Sequence, residues 1–189
     1  MKKVLGNILP ALLTFHPHIC YVVMAIWGNV DNLFDESVNL LLSVIGIFYV
    51  MIVLANIIYV IIWTCMGGDS QRILFWNMLM KICYIPIFIG TFISILAGLC
   101  TFMVGGIALV AVMLVVDVIL LIPPSIYGLC GCIRAAKEKN ANVGLAVVMA
   151  IMHFIFCLDV VAAIVMYFVV RNKNRKRRDA LNMAYGNYY

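Results

Sequence analysis

The chain has 189 residues and a formal net charge of +5 at neutral pH. Apolar residues make up 66% of it and charged residues 11%, whereas soluble domains average about half and about a quarter. A globule of this size has too much surface for its volume to bury so much apolar area. The composition therefore excludes a soluble enzyme, a disordered chain, a collagen-like repeat and a disulfide-stapled secreted domain. It indicates a protein solvated by lipid.

Five apolar runs follow one another along the chain, and each is long enough for a membrane helix. We therefore expect an all-α, polytopic membrane helix bundle with four to five transmembrane helices, forming a single integral membrane domain over 1–189. The expected spans are 8–27, 38–65, 74–100, 106–124 and 143–170.

The first run, 8–27, has His16, Pro17 and His18 at its centre. This polar interruption fits either a spanning helix with a kinked centre or an interfacial or re-entrant segment. Whether residues 1–27 cross the membrane therefore stays open at this point.

The third run contains a charge and a face of small residues. Lys81 lies near its start, where we expect the amine to reach the membrane interface. Gly90, Ser94 and Gly98 are spaced four apart, so they share one face on which a neighbouring helix can pack closely.

The segment between the third and fourth runs is short and uncharged, with Gly105 and Gly106 as its best helix breakers. We therefore expect a tight hairpin there. The fourth run is expected to end at Pro123 and Pro124, because a proline pair stops a helix more often than it continues one.

A basic juxtamembrane tail, 171–189, follows the fifth run. We expect it to bind the anionic headgroups of the bilayer, with each basic residue contributing about 1 kcal/mol. The candidate headgroup-binding residues are Arg171, Lys173, Arg175, Lys176, Arg177 and Arg178.

The distribution of basic residues does not settle the orientation. With five spans, the two sides carry seven and six lysines and arginines, which is close to a tie. With four spans and no crossing by 1–27, the side that holds the tail carries eight and the other side five. Because the tail is the densest basic cluster, we expect a multi-pass protein of the cell (plasma) membrane with a cytoplasmic C-terminus.

Three ionisable residues inside apolar runs are the candidates for chemistry: Asp117, His153 and Asp159. A carboxylate at the centre of a membrane helix costs roughly 3 kcal/mol, so such residues are functional candidates by default. They can form a proton or cation relay, or they can hold helices together through interhelical hydrogen bonds. His153 and Asp159 are six residues apart, about 120° on an ideal helix, so they do not share a narrow face.

Motifs of known enzymes are missing from the sequence. It contains no nucleophile elbow, Walker loop, His-Glu-x-x-His or Cys-x-x-Cys, and its seven cysteines lie mostly within apolar runs. We therefore predict no catalytic residues, no cofactor, no metal site and no nucleic-acid partner.

The leading hypothesis is a non-enzymatic subunit or interaction partner of a membrane assembly, bound to another membrane protein. The alternative is a small transporter or channel that moves protons or a small solute past the intramembrane aspartates and histidine. An intramembrane enzyme is the third alternative, and no paired catalytic motif supports it.

Overall fold

The computed structural model of the chain describes residues 2–27, 36–101, 104–155 and 158–186. Regular secondary structure in these residues is entirely α-helical, which confirms the predicted all-α class. The helices are α1 (Lys2–Trp27), α2 (Glu36–Cys65), α3 (Ser70–Thr101), α4 (Val104–Lys137), α5 (Val143–Met152) and α6 (Leu158–Gly186).

Three segments of the described helices are long and apolar enough to cross a bilayer, which confirms a membrane helix bundle: Ser43–Cys65, Ser70–Cys100 and Gly106–Lys137. α5 has ten residues, about 15 Å, and this is half the length that a crossing needs. The crossing by 8–27 stays a prediction.

The helix formed by the fourth apolar run extends beyond its predicted end at Pro123 and Pro124. α4 runs without interruption through Pro123 and Pro124 to Lys137. Each proline removes one backbone donor and leaves the other hydrogen bonds of the helix in place, so a long and well-packed helix can tolerate the pair. The expected turn between the third and fourth runs falls at residues 102–103, which lie outside the described residues.

The fifth apolar run, 143–170, is not one continuous helix. α5 ends at Met152, α6 begins at Leu158, and the two helices pack against each other. Ala146 of α5 shares a core with Met166 and Val170 of α6, so the helices are antiparallel. The run therefore forms a hairpin of two helices and not one continuous helix.

The chain forms two compact units, Met1–Tyr59 with Cys83–Pro123 and Val60–Ile82 with Pro124–Tyr189. In the first unit, Tyr84 and Ile87 of α3 pack with Leu120 of α4. Thr91, further along α3, contacts Asp117, which is earlier in α4. These two helices are therefore antiparallel, as expected of a hairpin.

The second unit brings three polar segments to one end of its helices. Arg134 Nε donates to the carbonyl oxygen of Gly68 at 2.8 Å, which joins the α2–α3 turn to the end of α4. Asn174 Nδ2 donates to Gln71 Oε1 at 3.0 Å, which joins α6 to the start of α3. We call residues 66–71, 134–142 and 172–177 the loop cluster.

Glu138 is the centre of the loop cluster. Its carboxylate accepts hydrogen bonds from Ser70, Arg134 and Asn140, and the Arg134 contact is an ion pair at 3.0 Å. A fully bonded carboxylate of this kind fixes the relative positions of the segments that donate to it.

Candidate functional site

Lys81 is buried inside the second unit. It is 1% exposed, and its ammonium lies 3.1 Å from Oδ2 of Asp159, which is 3% exposed. The expectation that Lys81 reaches the membrane interface is therefore wrong. The physical reason is that the buried carboxylate of Asp159 supplies a counter-charge and a hydrogen-bond acceptor, which offset part of the cost of taking the ammonium out of water.

The Lys81 ammonium has three acceptors within reach, one for each of its protons. Besides the Asp159 carboxylate, these are the Asp159 backbone carbonyl oxygen at 3.3 Å and Nδ1 of His153 at 3.2 Å. Because a lysine ammonium can only donate, His153 accepts at Nδ1 and carries its own proton on Nε2.

The side chain of Asn77 fits this assignment in one of its two amide orientations. Asn77 lies 3.5 Å from Nε2 of His153 through its amide nitrogen, and its Oδ1 is buried with no partner among the described residues. The oxygen and nitrogen of an amide exchange places on a 180° flip. The flipped amide places Oδ1 against the Nε2–H of His153 and pairs these two groups, while its NH2 then occupies the position that has no partner among the described residues.

Two residues of α4 hold His153 in place. Ser125 Oγ donates to the backbone carbonyl oxygen of His153 at 2.6 Å, which satisfies a carbonyl at the end of α5. Gly128 lies beneath the imidazole, where an added Cβ would sit 2.6 Å from Nε2. Only glycine permits the ring to pack so closely against α4.

These contacts explain the break between α5 and α6. The sequence has no glycine or proline between Ile151 and Val160. The helix ends instead because His153 and Asp159 are drawn to Lys81 from the two sides of the break. Asp159 also lies in the first turn of α6, where the helix dipole favours a negative charge.

Asp117 belongs to the other compact unit, and its partner there is Thr91. Thr91 Oγ1 donates to Oδ1 of Asp117 at 2.8 Å, and the aspartate remains partly exposed. Of the three residues predicted as a relay, His153 and Asp159 thus meet around Lys81, and Asp117 has a separate environment.

The small-residue face of α3 is used for packing within the first unit. A Cβ added to Gly90 would lie 3.1 Å from the hydroxyl of Tyr21, so α1 approaches α3 at this point. Ser94 Oγ donates to the Gly90 carbonyl oxygen at 3.0 Å, and Gly98 is buried.

The centre of α1 is joined to α3 by two hydrogen bonds. The Tyr84 hydroxyl donates to the Leu13 carbonyl oxygen at 2.7 Å, and Nε2 of His18 lies 2.8 Å from the carbonyl oxygen of Cys83. Leu13 lacks its helical donor because residue 17 is a proline, so Pro17 creates the acceptor that Tyr84 uses.

The basic tail continues α6 as a helix to Gly186, and residues 187–189 lie outside the described residues. The six candidate headgroup-binding side chains are all exposed along this helix. Lys173 and Lys176 are three residues apart and so share a face, whereas Arg175 pairs with Asp179 at 4.0 Å.

Sequence reasoning missed four residues that build the buried network: Asn77, Lys81, Ser125 and Gly128. The spacing of Asn77 and Lys81 was the available signal, because residues four apart share a helix face and a polar pair inside an apolar run seeks a buried partner.

No family model matches the chain, and no curated protein or solved structure is significantly similar to it.

Proposed function

We propose that the protein is a non-enzymatic component of a membrane assembly, and that another membrane protein binds the α4 surface around Asp117. The observation that carries this proposal is a partly exposed carboxyl group in the middle of a membrane-spanning helix. Asp117 is eleven residues beyond Gly106, about 16 Å along the span and close to the centre of a bilayer of roughly 30 Å.

The surroundings of Asp117 support a protein partner. Leu114 and Val118 beside it are exposed apolar side chains, so this face of α4 meets either lipid or another helix. Thr91 supplies one hydrogen bond to a group that can accept about four. Lipid tails supply none, which makes a polar group from a second protein the favourable complement.

The charge of Asp117 favours a different protein over a second copy of this chain. Two copies related by symmetry would bring carboxylate against carboxylate, and two such groups cannot both ionise at close range. A transmembrane helix with a lysine, an arginine or another hydrogen-bond donor at mid-depth is the matching partner.

Site-specific photocrosslinking in membranes tests this proposal. A crosslinker at Leu114 is expected to trap one defined protein, and Asp117→Leu is expected to reduce that adduct at least about fivefold, because a mid-membrane charge pair is lost. Asp117→Glu, which retains the carboxylate, is expected to restore most of it. A crosslinker at Phe48, an exposed residue of α2, serves as the control.

Two results would contradict the proposal. One is an adduct at Leu114 that does not depend on the residue at 117. The other is an adduct with the mass of two copies of this chain, because it would assign the surface to self-association.

We further propose that the protein resides in the cell membrane with its C-terminus in the cytoplasm. The exposed basic residues along α6 support this orientation, since cytoplasmic segments are enriched in lysine and arginine and the inner leaflet is anionic.

A small transporter or channel is the second candidate function. The observation that favours it is the hairpin of α5 and α6, whose tip holds His153 and Asp159 against Lys81. Broken helices that meet charged groups within the membrane are typical of transport sites. Proton flux into proteoliposomes tests it, and a wild-type protein that carries no flux above that of empty vesicles contradicts it.

A further inference from the structure

A cleft of about 550 Å³ lies in the second unit, between the α4–α5 link and α6. From α6 it is lined by Val169, Asn172, Lys173 and Lys176. This spacing of three, four and seven residues is one face of a helix, so the two lysines point to the same side.

The link between α4 and α5 supplies the opposite wall of the cleft, including Lys139, Asn140 and Asn142. In the described part of the chain, none of the three cleft lysines belongs to an ion pair, and the nearby Glu138 is held by Arg134. The cleft therefore presents three ammonium groups without a counter-charge, which is an environment for an anion.

Asn140, which lines the same cleft, has a side-chain acceptor without a partner among the described residues. It is 4% exposed, and its Nδ2 donates to the Glu138 carboxylate at 2.9 Å, which orients the amide. Its Oδ1 is buried without a partner among the described residues. A buried, unpaired acceptor is costly, so a ligand that brings a hydroxyl group to it would be favoured.

A second cavity, an apolar groove of about 520 Å³, continues from the cleft between α4 and α5. The two cavities share Ala136 and Val143 in their walls. The groove is lined by apolar side chains apart from Lys137, and it extends along α5 to Phe154. α5 is about 15 Å long, half of a roughly 30 Å hydrocarbon core, which matches the depth of one leaflet.

We propose that the cleft and the groove together bind one anionic glycerophospholipid whose headgroup carries a free hydroxyl. The phosphodiester lies among Lys139, Lys173 and Lys176, the hydroxyl donates to Oδ1 of Asn140, and an acyl chain lies along α5. This assigns a defined site to the contact with anionic headgroups that the sequence led us to expect of the tail, and it is independent of the partner proposed at Asp117.

Native mass spectrometry of the full chain in detergent tests the proposal with dioleoylphosphatidylglycerol as the probe. We expect one tightly bound lipid per chain, and weaker binding of dioleoylphosphatidylcholine, which has the same phosphate and chains without the net charge or the hydroxyl. Substituting Lys139→Gln, Lys173→Gln and Lys176→Gln together is expected to weaken binding at least about tenfold.

A matched control separates the cleft from general attraction to the tail. Substituting Arg175→Gln, Arg177→Gln and Arg178→Gln also removes three positive charges, but from residues that do not line the cleft. We expect binding within about threefold of wild type. An equal loss in both triple variants would overturn the defined site, while leaving a diffuse electrostatic contact of the tail in place.

A second pair of variants tests the acyl chain. Val147 lines the groove and Val148 does not, although both side chains are 53% exposed. Val147→Trp is expected to reduce lipid binding, and Val148→Trp is expected to leave it unchanged. Unaltered binding in Val147→Trp would show that no acyl chain lies in the groove. Saturation of the cleft by glycerol 3-phosphate alone would assign the site to a soluble phosphate. Either result would overturn the proposed lipid site. Unfolding midpoints equal to wild type ensure that each variant is compared as a folded protein.

Discussion

Lys81 is the residue whose environment differs most from its surroundings in the sequence. It lies in an apolar run, and its three protons match three acceptors supplied by His153 and Asp159. Because every charge is paired, the network can be buried in a low-dielectric interior. Loss of one member would leave an unpaired buried charge, which is strongly destabilising. The ion pair therefore specifies how the hairpin docks on α3.

Removing one partner of the ion pair is expected to cost far more than removing both. Lys81→Met alone leaves a buried carboxylate without a counter-charge, which lowers the free energy of unfolding by about 3–5 kcal/mol. Lys81→Met with Asp159→Leu removes both charges, and we expect the double variant to recover at least half of that loss. Reversible unfolding in mixed micelles measures the free energy of unfolding of Lys81→Met, of Asp159→Leu and of the double variant, and these values give the coupling energy.

The exposed ion pair between Arg175 and Asp179 provides the control for this cycle. Arg175→Gln is expected to change the free energy of unfolding by less than about 0.5 kcal/mol, because solvent screens a pair at the surface. Additive losses from Lys81→Met and Asp159→Leu would contradict the direct coupling that the 3.1 Å distance indicates.

At the scale of elements, a proline in α1 frees a backbone carbonyl that accepts a hydrogen bond from α3. Pro17 leaves the Leu13 carbonyl without its helical donor, and the Tyr84 hydroxyl of α3 takes that position at 2.7 Å. α1 is thus attached to α3 at the point where its own hydrogen-bond ladder is interrupted. This explains why the helix continues to Trp27 across a polar centre that the sequence left ambiguous.

Tyr84→Phe is expected to lower the free energy of unfolding by about 1–3 kcal/mol, because it leaves a buried carbonyl unpaired. In a Pro17→Ala background the alanine N–H can bond to the Leu13 carbonyl, so the same substitution is expected to cost clearly less. A double-mutant cycle by reversible unfolding measures the difference. Equal costs in the two backgrounds would show that Tyr84 contributes through packing alone.

The hairpin of α5 and α6 illustrates what local patterns cannot predict. Residues 143–170 are uniformly apolar apart from His153 and Asp159, and hydropathy alone is satisfied by a span or by a hairpin. The difference is made by Lys81, which is 72 residues from His153 and 78 from Asp159 in the sequence, together with the space left by Gly128. Helical class and the membrane environment follow from composition and from the length of the apolar runs, whereas this break follows from tertiary contacts.

At the scale of the whole molecule, the hairpin changes how the basic residues are counted. The loop cluster joins the α2–α3 turn, the α4–α5 link and the start of the tail, so these segments belong on one side of the membrane. Along α1 and α3, Leu13 meets Tyr84 and Tyr21 meets Gly90, so the two helices run in the same direction. If α1 and α2 both cross, as predicted, chain connectivity alone places the start of α1 on the side of the α2–α3 turn.

A topology in which 8–27 crosses and the hairpin returns would remove the near tie in the sequence. With α1 to α4 crossing and the hairpin returning, we expect the side of the loop cluster to carry twelve of the thirteen lysines and arginines, all but the buried Lys81, and the opposite side to carry none. The near tie depends on counting 143–170 as a crossing, which places the tail and the α4–α5 link on opposite sides.

We therefore expect both termini in the cytoplasm. A fluorescent reporter that matures only in the cytoplasm is expected to give a signal at either end, and a periplasmic or luminal reporter inserted just before Glu36 is expected to be active there, because α1 has crossed at that point. Replacing the six basic residues of 171–178 with glutamine leaves six others on the same side, so the orientation is expected to persist. A cytoplasmic signal at the C-terminus with an external N-terminus would contradict this topology, because it requires an odd number of crossings: three without α1, or five with 143–170 as a span.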